Sequence, residues 1–430
     1  MDNLIENIFR NMTSSIFKDR HVLSNTFIPP KLVARDEQIR IIAEKMYPVL
    51  EGGSPQNAVI HGNPGSGKTV VMKFVSQLLM KEMETRGIVN KVKTVFIRCE
   101  ETNTPIRILY KILQSINPLS TLPPIGLGTE HYYNAIWKEL RDTKLSLIIV
   151  FDEIDKIKED SLLNNLCRYD EDEKADSRQF ISVFGLTNDL GWLDNLDARL
   201  RSVLRATKIV FSPYNADHLC EILSDRVPLA FHENAVHEDV IGFCAAYSAR
   251  DDGDARRALL LLQTSGMIAQ QRNEKMITKV HVDAALSEVD KSHYSKLLNE
   301  STSSQKLILL SLICLTRYTT EKISTGMLYS EYSHFVKLMG MDQLSIQRVS
   351  GLISQLETAG FLVTTTRKGR KGNSRILTID SAMLSLDALI LSDPLLNGLS
   401  EAYYNRVGVS QKQAQGRFTF QENSSVITIR

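Results

Sequence analysis

Eight consecutive residues, Gly62-Asn63-Pro64-Gly65-Ser66-Gly67-Lys68-Thr69, fit the spacing GxxxxGK[ST]. Glycines so spaced let backbone N–H groups turn inward around phosphate oxygens. A helix starting at the same point adds its partial positive charge. Lys68 is then placed to bridge the β- and γ-phosphates, and the Thr69 hydroxyl to coordinate Mg²⁺. A second set lies in LSLIIVFDEID (145–155). Asp152 ends an apolar run, where a carboxylate can hold the water shell of Mg²⁺, and Glu153 beside it can polarise an attacking water. Together the two sets predict a site for ATP or ADP with Mg²⁺. Asp155 reads as a solvated turn or helix-capping residue. His61, just before the glycine-rich loop, reads as strand-end packing rather than a catalytic group.

That chemistry works only if both sets stand at the ends of neighbouring buried strands. AVIHG (58–62) reads as such a strand, followed by an amphipathic helix over 69–83. Further apolar strands are expected over 94–100, 145–153, 180–188 and 206–213, with helical patterns between them, including one from Pro105 to Ile116. Strands apolar throughout and alternating with helices predict a parallel sheet covered on both faces, hence an α/β fold. After Pro213 the strand signal stops and helical periods run to about residue 292, with a polar connector over 296–303. From Gln305 to about Asp393 the pattern changes to three helices, a strand at 361–363, a basic glycine-containing loop and a strand at 374–379. That is the composition of an α+β winged helix. Residues 1–20 read as an N-terminal arm, 21–213 as the nucleotide-binding domain and 214–296 as a helical lid. Residues 305–393 read as the winged-helix domain, and 394–430 as a tail, mobile from about Val407.

The chain has 430 residues, of which 43% are hydrophobic and 23% charged, which excludes wholesale disorder. Lys and Arg total 51 against 50 Asp and Glu, so no uniformly basic coat exists, though a local basic patch can. No apolar run reaches the ~18 residues of a membrane helix, and the N-terminus lacks signal-peptide features. The five cysteines have no CxxC spacing. These features predict a cytoplasmic, nucleoid-associated protein with reduced thiols, no zinc and no membrane partner.

Several segments carry a family resemblance. GLTND (185–189) follows Asp152-Glu153 as the sensor 1 strand does in AAA+ ATPases, with Asn188 at its end. GWLDNLDARLRSVL (191–204) resembles the box VII segment of archaeal replication initiators, and VFSPYNADHLCEIL (210–223) the strand and helix after it. GDARRALLLL (253–262) is similar to the start of their sensor 2 helix, PPKLVARDEQI (29–39) to their adenine-side entry, and STGMLYSEY with LSIQRVSGLISQLETAGFL to their winged-helix segments. The whole resembles an archaeal member of the origin-recognition-complex/cell-division-cycle initiator family, over about residues 20 to 393. The resemblance implies a P-loop AAA+ sheet with a helical lid and a winged helix. It implies that Asn188 positions the water, that Arg256 touches the γ-phosphate from the lid, and that Arg199 serves a neighbouring subunit's ATP, with Arg201 and Arg205 as competitors. DARL here departs from the family's usual DPRV. Arg35, Val70 and Tyr214 join the ATP-contacting residues on the same grounds.

In the C-terminal part, Ser345 caps a helix whose Ile346, Val349, Leu352, Ile353 and Leu356 share a core face. Gln347, Arg348 and Ser354 lie opposite, able to hydrogen-bond bases or phosphates. The stretch from Phe361 to Ile379 holds Arg367, Lys368, Arg370, Lys371 and Arg375 with no acid. Five phosphate contacts there would give a log K against log salt slope of about −4.5. The resemblance also implies a DNA-contacting insertion between the early strands, here from Thr102 to about Glu139, with Arg107 and Lys111. The reading is therefore an ATP-dependent initiator with weak Mg²⁺-dependent ATPase activity. It binds double-stranded origin DNA and recruits or loads the replicative MCM helicase, alone or with paralogous initiator subunits. The alternatives are a clamp-loader-like or signalling AAA+ ATPase, which would lack the basic wing, and a transcription regulator with a vestigial nucleotide site, which the intact Lys68, Thr69, Asp152 and Glu153 oppose.

Overall fold

The computed structural model describes residues 16–88, 91–169, 179–250, 252–369, 372–379 and 381–408. The chain divides into two compact units, Met1–Val282 and Asp283–Arg430. In the first, five strands form an all-parallel sheet: β1 (Ala58–Gly62), β2 (Val92–Arg98), β3 (Ser146–Asp152), β4 (Ile181–Thr187) and β5 (Thr207–Phe211), in the order β2-β3-β4-β1-β5. Side chains alternate across it. Val59, Ile149, Phe151 and Val183 face one core with Leu109, Ile136 and Leu163, from the helices Pro105–Ile116, Thr129–Thr143 and Asp160–Cys167. Ile60, Ile148, Val150 and Phe184 face the other, with Ile42 and Val71 from the helices Asp36–Met46 and Lys68–Thr85. Helices on both faces explain why β4 is buried along its whole length and β3 along all but its last residue. The register places the carboxyl ends of β1, β3 and β4 side by side, the edge where open α/β sheets hold ligands.

Four helices follow β5: Ala216–Ala230, Glu238–Arg250, Ala255–Gln271 and Lys279–Glu300. The last corrects the expected polar connector, since residues 296–300 are helical, and the next helix begins at Ser303 under a Thr302–Gln305 capping box. The N-terminal expectation also changes where it can be seen; residues 1–15 of the arm lie outside the described residues. Ile16 and Phe17 are buried, Phe17 stacks on Phe231 at 4.9 Å, and the Lys18 amide donates to the Ala230 carbonyl. An apolar pair gains more by packing against the lid, at Phe231 and Gly266, than by staying in water.

The second unit contains the helices Ser303–Tyr318, Thr325–Leu338 and Ile346–Thr358, and a three-stranded antiparallel sheet of order β6-β8-β7. Here β6 is Ile323–Ser324, β7 Val363–Gly369 and β8 Gly372–Thr378. The expected loop is thus mostly strand: Arg367 pairs with Ser374 and Lys368 with Asn373 across the hairpin. Threonines 364–366 favour such extension. Residues 394–408 are not tail. Leu396, Leu399, Tyr403 and Val407 are buried in this unit's core, and 400–408 is helical.

Candidate nucleotide site and nucleic-acid face

Lys68, Thr69, Asp152, Glu153 and Asn188 meet at the carboxyl edge of the sheet, around a cavity of about 360 Å³. Gly65, Gly67, Val70 and Tyr214 line it as well, and the lid supplies Arg256. The loop lies between β1 and the Lys68–Thr85 helix, whose N-terminus opens on the cavity. Gly65 has φ +72°, and a Cβ there would lie 1.7 Å from Asp254 Oδ1. The absent side chain thus lets the lid helix seat against the loop, and the Ala255 amide donates to the Gly65 carbonyl. Asp254 caps that helix by accepting from the amides of Arg256 and Arg257, which places the Arg256 guanidinium at the cavity.

Lys68 is 7% exposed, and its Nζ donates to the carbonyls of Gly62 and Asn63 and to Asn188 Oδ1 at 2.6, 2.9 and 2.8 Å. Burial, and next the Arg256 charge, lower its ammonium to about 8. An anionic ligand reverses that cost. The Thr69 hydroxyl donates to Asp152 Oδ2 at 3.0 Å. Two oxygens so close, with the backbone cradle open beside them, fit a magnesium ion bound with a triphosphate. Glu153 sits in the left-handed region at φ 60° and ψ 53°, a conformation uncommon for a residue with a Cβ. Burial, then the neighbouring Glu100 and Asp152 carboxylates, hold its carboxyl above the usual glutamate range.

Arg35 is not at the cavity. It is 3% exposed, stacks 3.9 Å over the Tyr214 ring and donates to the carbonyls of Ser66, Ala34 and Ser212. Those bonds brace the loop against the end of β5. Arg199 is exposed on the helix Ala198–Leu204, also away from the cavity. Its competitors are engaged: Arg201 donates to the carbonyls of Asp194 and Leu196, and Arg205 to that of Ser202. His61 is buried as expected, and its Nδ1 donates to the Asp189 carbonyl at 2.9 Å. Asp155 departs from the solvated reading, because the Thr187 hydroxyl donates to its Oδ1 at 2.6 Å.

Sequence reasoning missed Arg226. This arginine lines the cavity and is 6% exposed; it donates to the Val22 carbonyl at 3.0 Å and lies 4.5 Å from the Phe27 ring centroid. A signal was present. Leu219, Leu223, Arg226 and Ala230 fall on one buried helix face, so an arginine occupies an apolar stripe. It ties the segment 22–27, which walls the cavity, to the lid. Arg226→Ala is expected to weaken nucleotide binding about tenfold, through loss of a charged hydrogen bond and a desolvated cation–π contact. Titration by isothermal calorimetry checks this, and an unchanged Kd would assign Arg226 to folding alone.

In the second unit, Ser345 accepts from the Arg348 amide and starts the helix as expected. Val349, Ile353 and Leu356 are buried, but Ile346 is 47% exposed because the first turn projects beyond the core. Gln347, Arg348 and Ser354 are exposed. The hairpin is less free of acid than its own residues suggest. Arg375 forms an ion pair with Glu357 of that helix and donates to Ser354 Oγ at 3.0 Å. Arg370 and Lys371 lie outside the described residues, and Arg367 and Lys368 are placed by backbone register alone.

Known families match three stretches: one described as "AAA domain" over 52–188, "Cdc6 AAA+ ATPase-type lid domain" over 220–287, and "CDC6, C terminal winged helix domain" over 296–386. ORC1-type DNA replication protein 1 of Sulfurisphaera tokodaii is 34% identical over 380 residues, 87% of this chain and 93% of that protein. The protein of the same name from Archaeoglobus fulgidus is 34% identical over 380 residues, 87% of this chain and 91% of its own. Among solved structures, the Aeropyrum pernix ORC1 protein in complex with DNA superimposes with a TM-score of 0.75 at 32% identity, covering 90% of this chain and 99% of that one. With the phosphate loop, the lid arginine and the winged helix placed as described, the chain belongs to the ORC1-type DNA replication initiators, AAA+ ATPases with a C-terminal winged helix.

Proposed function

We propose that this initiator binds duplex origin DNA through its winged helix, uses ATP binding and slow hydrolysis as a switch, and recruits or loads the replicative MCM helicase. The reading is carried by one juxtaposition: Lys68, Thr69, Asp152, Glu153 and Asn188 at one cavity, with Arg256 reaching it from the lid. Gly65 and Gly67 admit phosphate close to the backbone, and Lys68 holds the β- and γ-oxygens. Thr69 and Asp152 would hold Mg²⁺, which when bound neutralises charge on the phosphate oxygens. Glu153 orients water and takes its proton; Asn188 fixes the water's position. Arg256 stabilises charge from the lid, so the lid senses the γ-phosphate. Arg199, exposed while Arg201 and Arg205 hold carbonyls of their own chain, is the arginine offered to a neighbouring paralogous subunit.

For DNA, Gln347 and Arg348 present the reading face, and the hairpin cations hold phosphates. The complex of the Aeropyrum relative with DNA supports this assignment. Because Arg375 is paired within the unit, its contact drops out and the expected slope falls from about −4.5 to about −3.6. Fluorescence anisotropy with a labelled duplex over a salt series tests the reading. Arg370→Ala with Lys371→Ala should make the slope shallower by about 1.8 and weaken binding to all sequences alike. Lys68→Ala should remove ATP binding and leave salt-sensitive DNA binding in place. Absence of duplex binding at low salt, with nucleotide binding intact, would overturn the initiator reading for this chain.

A further inference from the structure

The residues flanking Asn188 are held from two sides. On one side the Thr187 hydroxyl donates to Asp155 Oδ1 at 2.6 Å while accepting from the Asp189 amide at 3.0 Å. Asp155 lies two residues after Glu153, in the short turn Ile154–Lys156 that Glu153 opens. On the other side His61, the penultimate residue of β1 before the glycine-rich loop, donates from Nδ1 to the Asp189 carbonyl at 2.9 Å. Thr187 is 1% exposed and His61 0%, so each bond has one partner shielded from water.

Packing repeats the same connection. Ile154 is fully buried, and its Cδ1 lies 2.7 Å from where a Cβ on Gly185 would stand. Gly185 and Thr187 are alternate residues of β4, so they share one face of the strand. That face receives the turn by packing at Gly185 and by a hydrogen bond at Thr187. The turn therefore has one seat on β4, and Glu153, in its left-handed conformation, is aimed from that seat.

We propose that Asp155 and Thr187 are positioning residues for hydrolysis: their bond, with the His61–Asp189 contact opposite, fixes Glu153 and Asn188 relative to each other and to Lys68. This rests on the ATPase reading above. Asp155 is not among the residues lining the cavity, and Thr187, which lines it at 1% exposure, has its hydroxyl committed to Asp155 and the Asp189 amide, so each acts through the group beside it. Proton abstraction from water needs the base and the second water-holding group at set positions, and an error of about 1 Å costs on the order of a hundredfold. Binding of the triphosphate depends on the loop and Lys68, so it tolerates that error.

The test compares Thr187→Val, which keeps the shape and removes the hydroxyl, with Thr187→Ser, which restores the hydroxyl, in the full-length chain. Thr187→Val should lower kcat for ATP by roughly 10- to 100-fold with the Kd for ATP within about twofold of wild type. Thr187→Ser should recover most of kcat, and Asp155→Ala should match the valine variant. Hydrogen exchange on a peptide spanning 185–191 gives a readout that needs no hydrolysis: the Asp189 amide should exchange faster in Thr187→Val and Asp155→Ala than in Thr187→Ser. Equal loss of kcat in the serine and valine variants, a changed Kd with kcat intact, or unaltered exchange would overturn the proposal. If the wild type does not hydrolyse ATP, the ATPase reading fails, and the exchange comparison still decides whether the clamp exists.

Discussion

Glu153→Gln is expected to reduce ATP hydrolysis by roughly 100- to 10,000-fold while leaving ATP affinity within about threefold of wild type. Glutamine keeps the size and one hydrogen-bonding oxygen of the native residue but cannot take a proton from water. In the proposed reading the contacts that seat the phosphates belong to other groups: the backbone of the glycine-rich loop, Lys68 and the Thr69–Asp152 pair, whose hydroxyl and carboxylate stand 3.0 Å apart. Affinity and turnover should therefore separate. Single-turnover hydrolysis with radiolabelled ATP, beside a binding isotherm, measures both. Near-wild-type turnover in Glu153→Gln would move the general base elsewhere. Glu100, which lines the cavity and raises the Glu153 carboxyl, would be the next residue to test. A variant that binds ATP without hydrolysing it also tests the proposed switch, because any DNA-binding change set by ATP binding alone would persist in it.

The second large effect is on stability. Tyr403→Ala is expected to cost the C-terminal unit about 3–5 kcal/mol, the range for removing a large buried aromatic ring. Tyr403 is fully buried, and its hydroxyl donates to Asp387 Oδ2 at 2.8 Å, the oxygen that Arg317 also holds at 2.7 Å. The ring's loss leaves a cavity and takes a donor from a carboxylate that is itself 5% exposed. The same helix carries Arg406, whose Nε lies 2.7 Å from Glu331 Oε1, on a carboxylate side chain 4% exposed. Arg406 is 40% exposed, so water screens part of that pair, but Glu331 without it stays buried with, among the described residues, the Tyr318 hydroxyl and the Cys314 thiol as donors. Tyr403→Phe, which retains the ring, should cost about 1–2 kcal/mol. A chain ending at residue 400 should lose at least as much stability as Tyr403→Ala, and one ending at residue 408 keeps every one of these contacts. Thermal unfolding followed by circular dichroism should show a fall of roughly 10 °C or more for the shorter chain. A fall under about 2 °C would mean that the helix over 400–408 adds nothing to the unit.

Local pattern was sufficient for the sheet and for half of the site. The strand 58–62 is read at its observed bounds, and 145–153 and 180–188 differ from the observed β3 and β4 by one residue at each end, because turn chemistry punctuates each apolar run. The phosphate loop is legible for the same reason: its eight residues are contiguous, and a backbone cradle is a property of contiguous chain. Lys68, Thr69, Asp152 and Glu153 inherit their places from the strands they follow. Asn188 and Arg256 come from the family resemblance, and both line the cavity.

What tertiary structure alone decided are the partners of polar groups. Asp155 looked solvated because its acceptor role is filled by Thr187, 32 residues away. Arg375 looked free because Glu357 precedes the hairpin and reaches it only when the hairpin folds back on the helix. Arg35 was read as a ligand contact, and its donors end on carbonyls of Ser66 and Ser212, which β1 and β5 bring together. Residues 394–408 lie beyond the stretch that the family resemblance covers and read as tail, yet Tyr403 and Arg406 find Asp387 and Glu331. The difference has one physical origin. Apolar periodicity and glycine-rich loops are encoded by neighbours in sequence, since they depend on backbone geometry and on which face meets water. The effect of a buried charge or hydroxyl depends on a donor or acceptor supplied from elsewhere in the chain, and only the folded structure brings that partner within 3 Å.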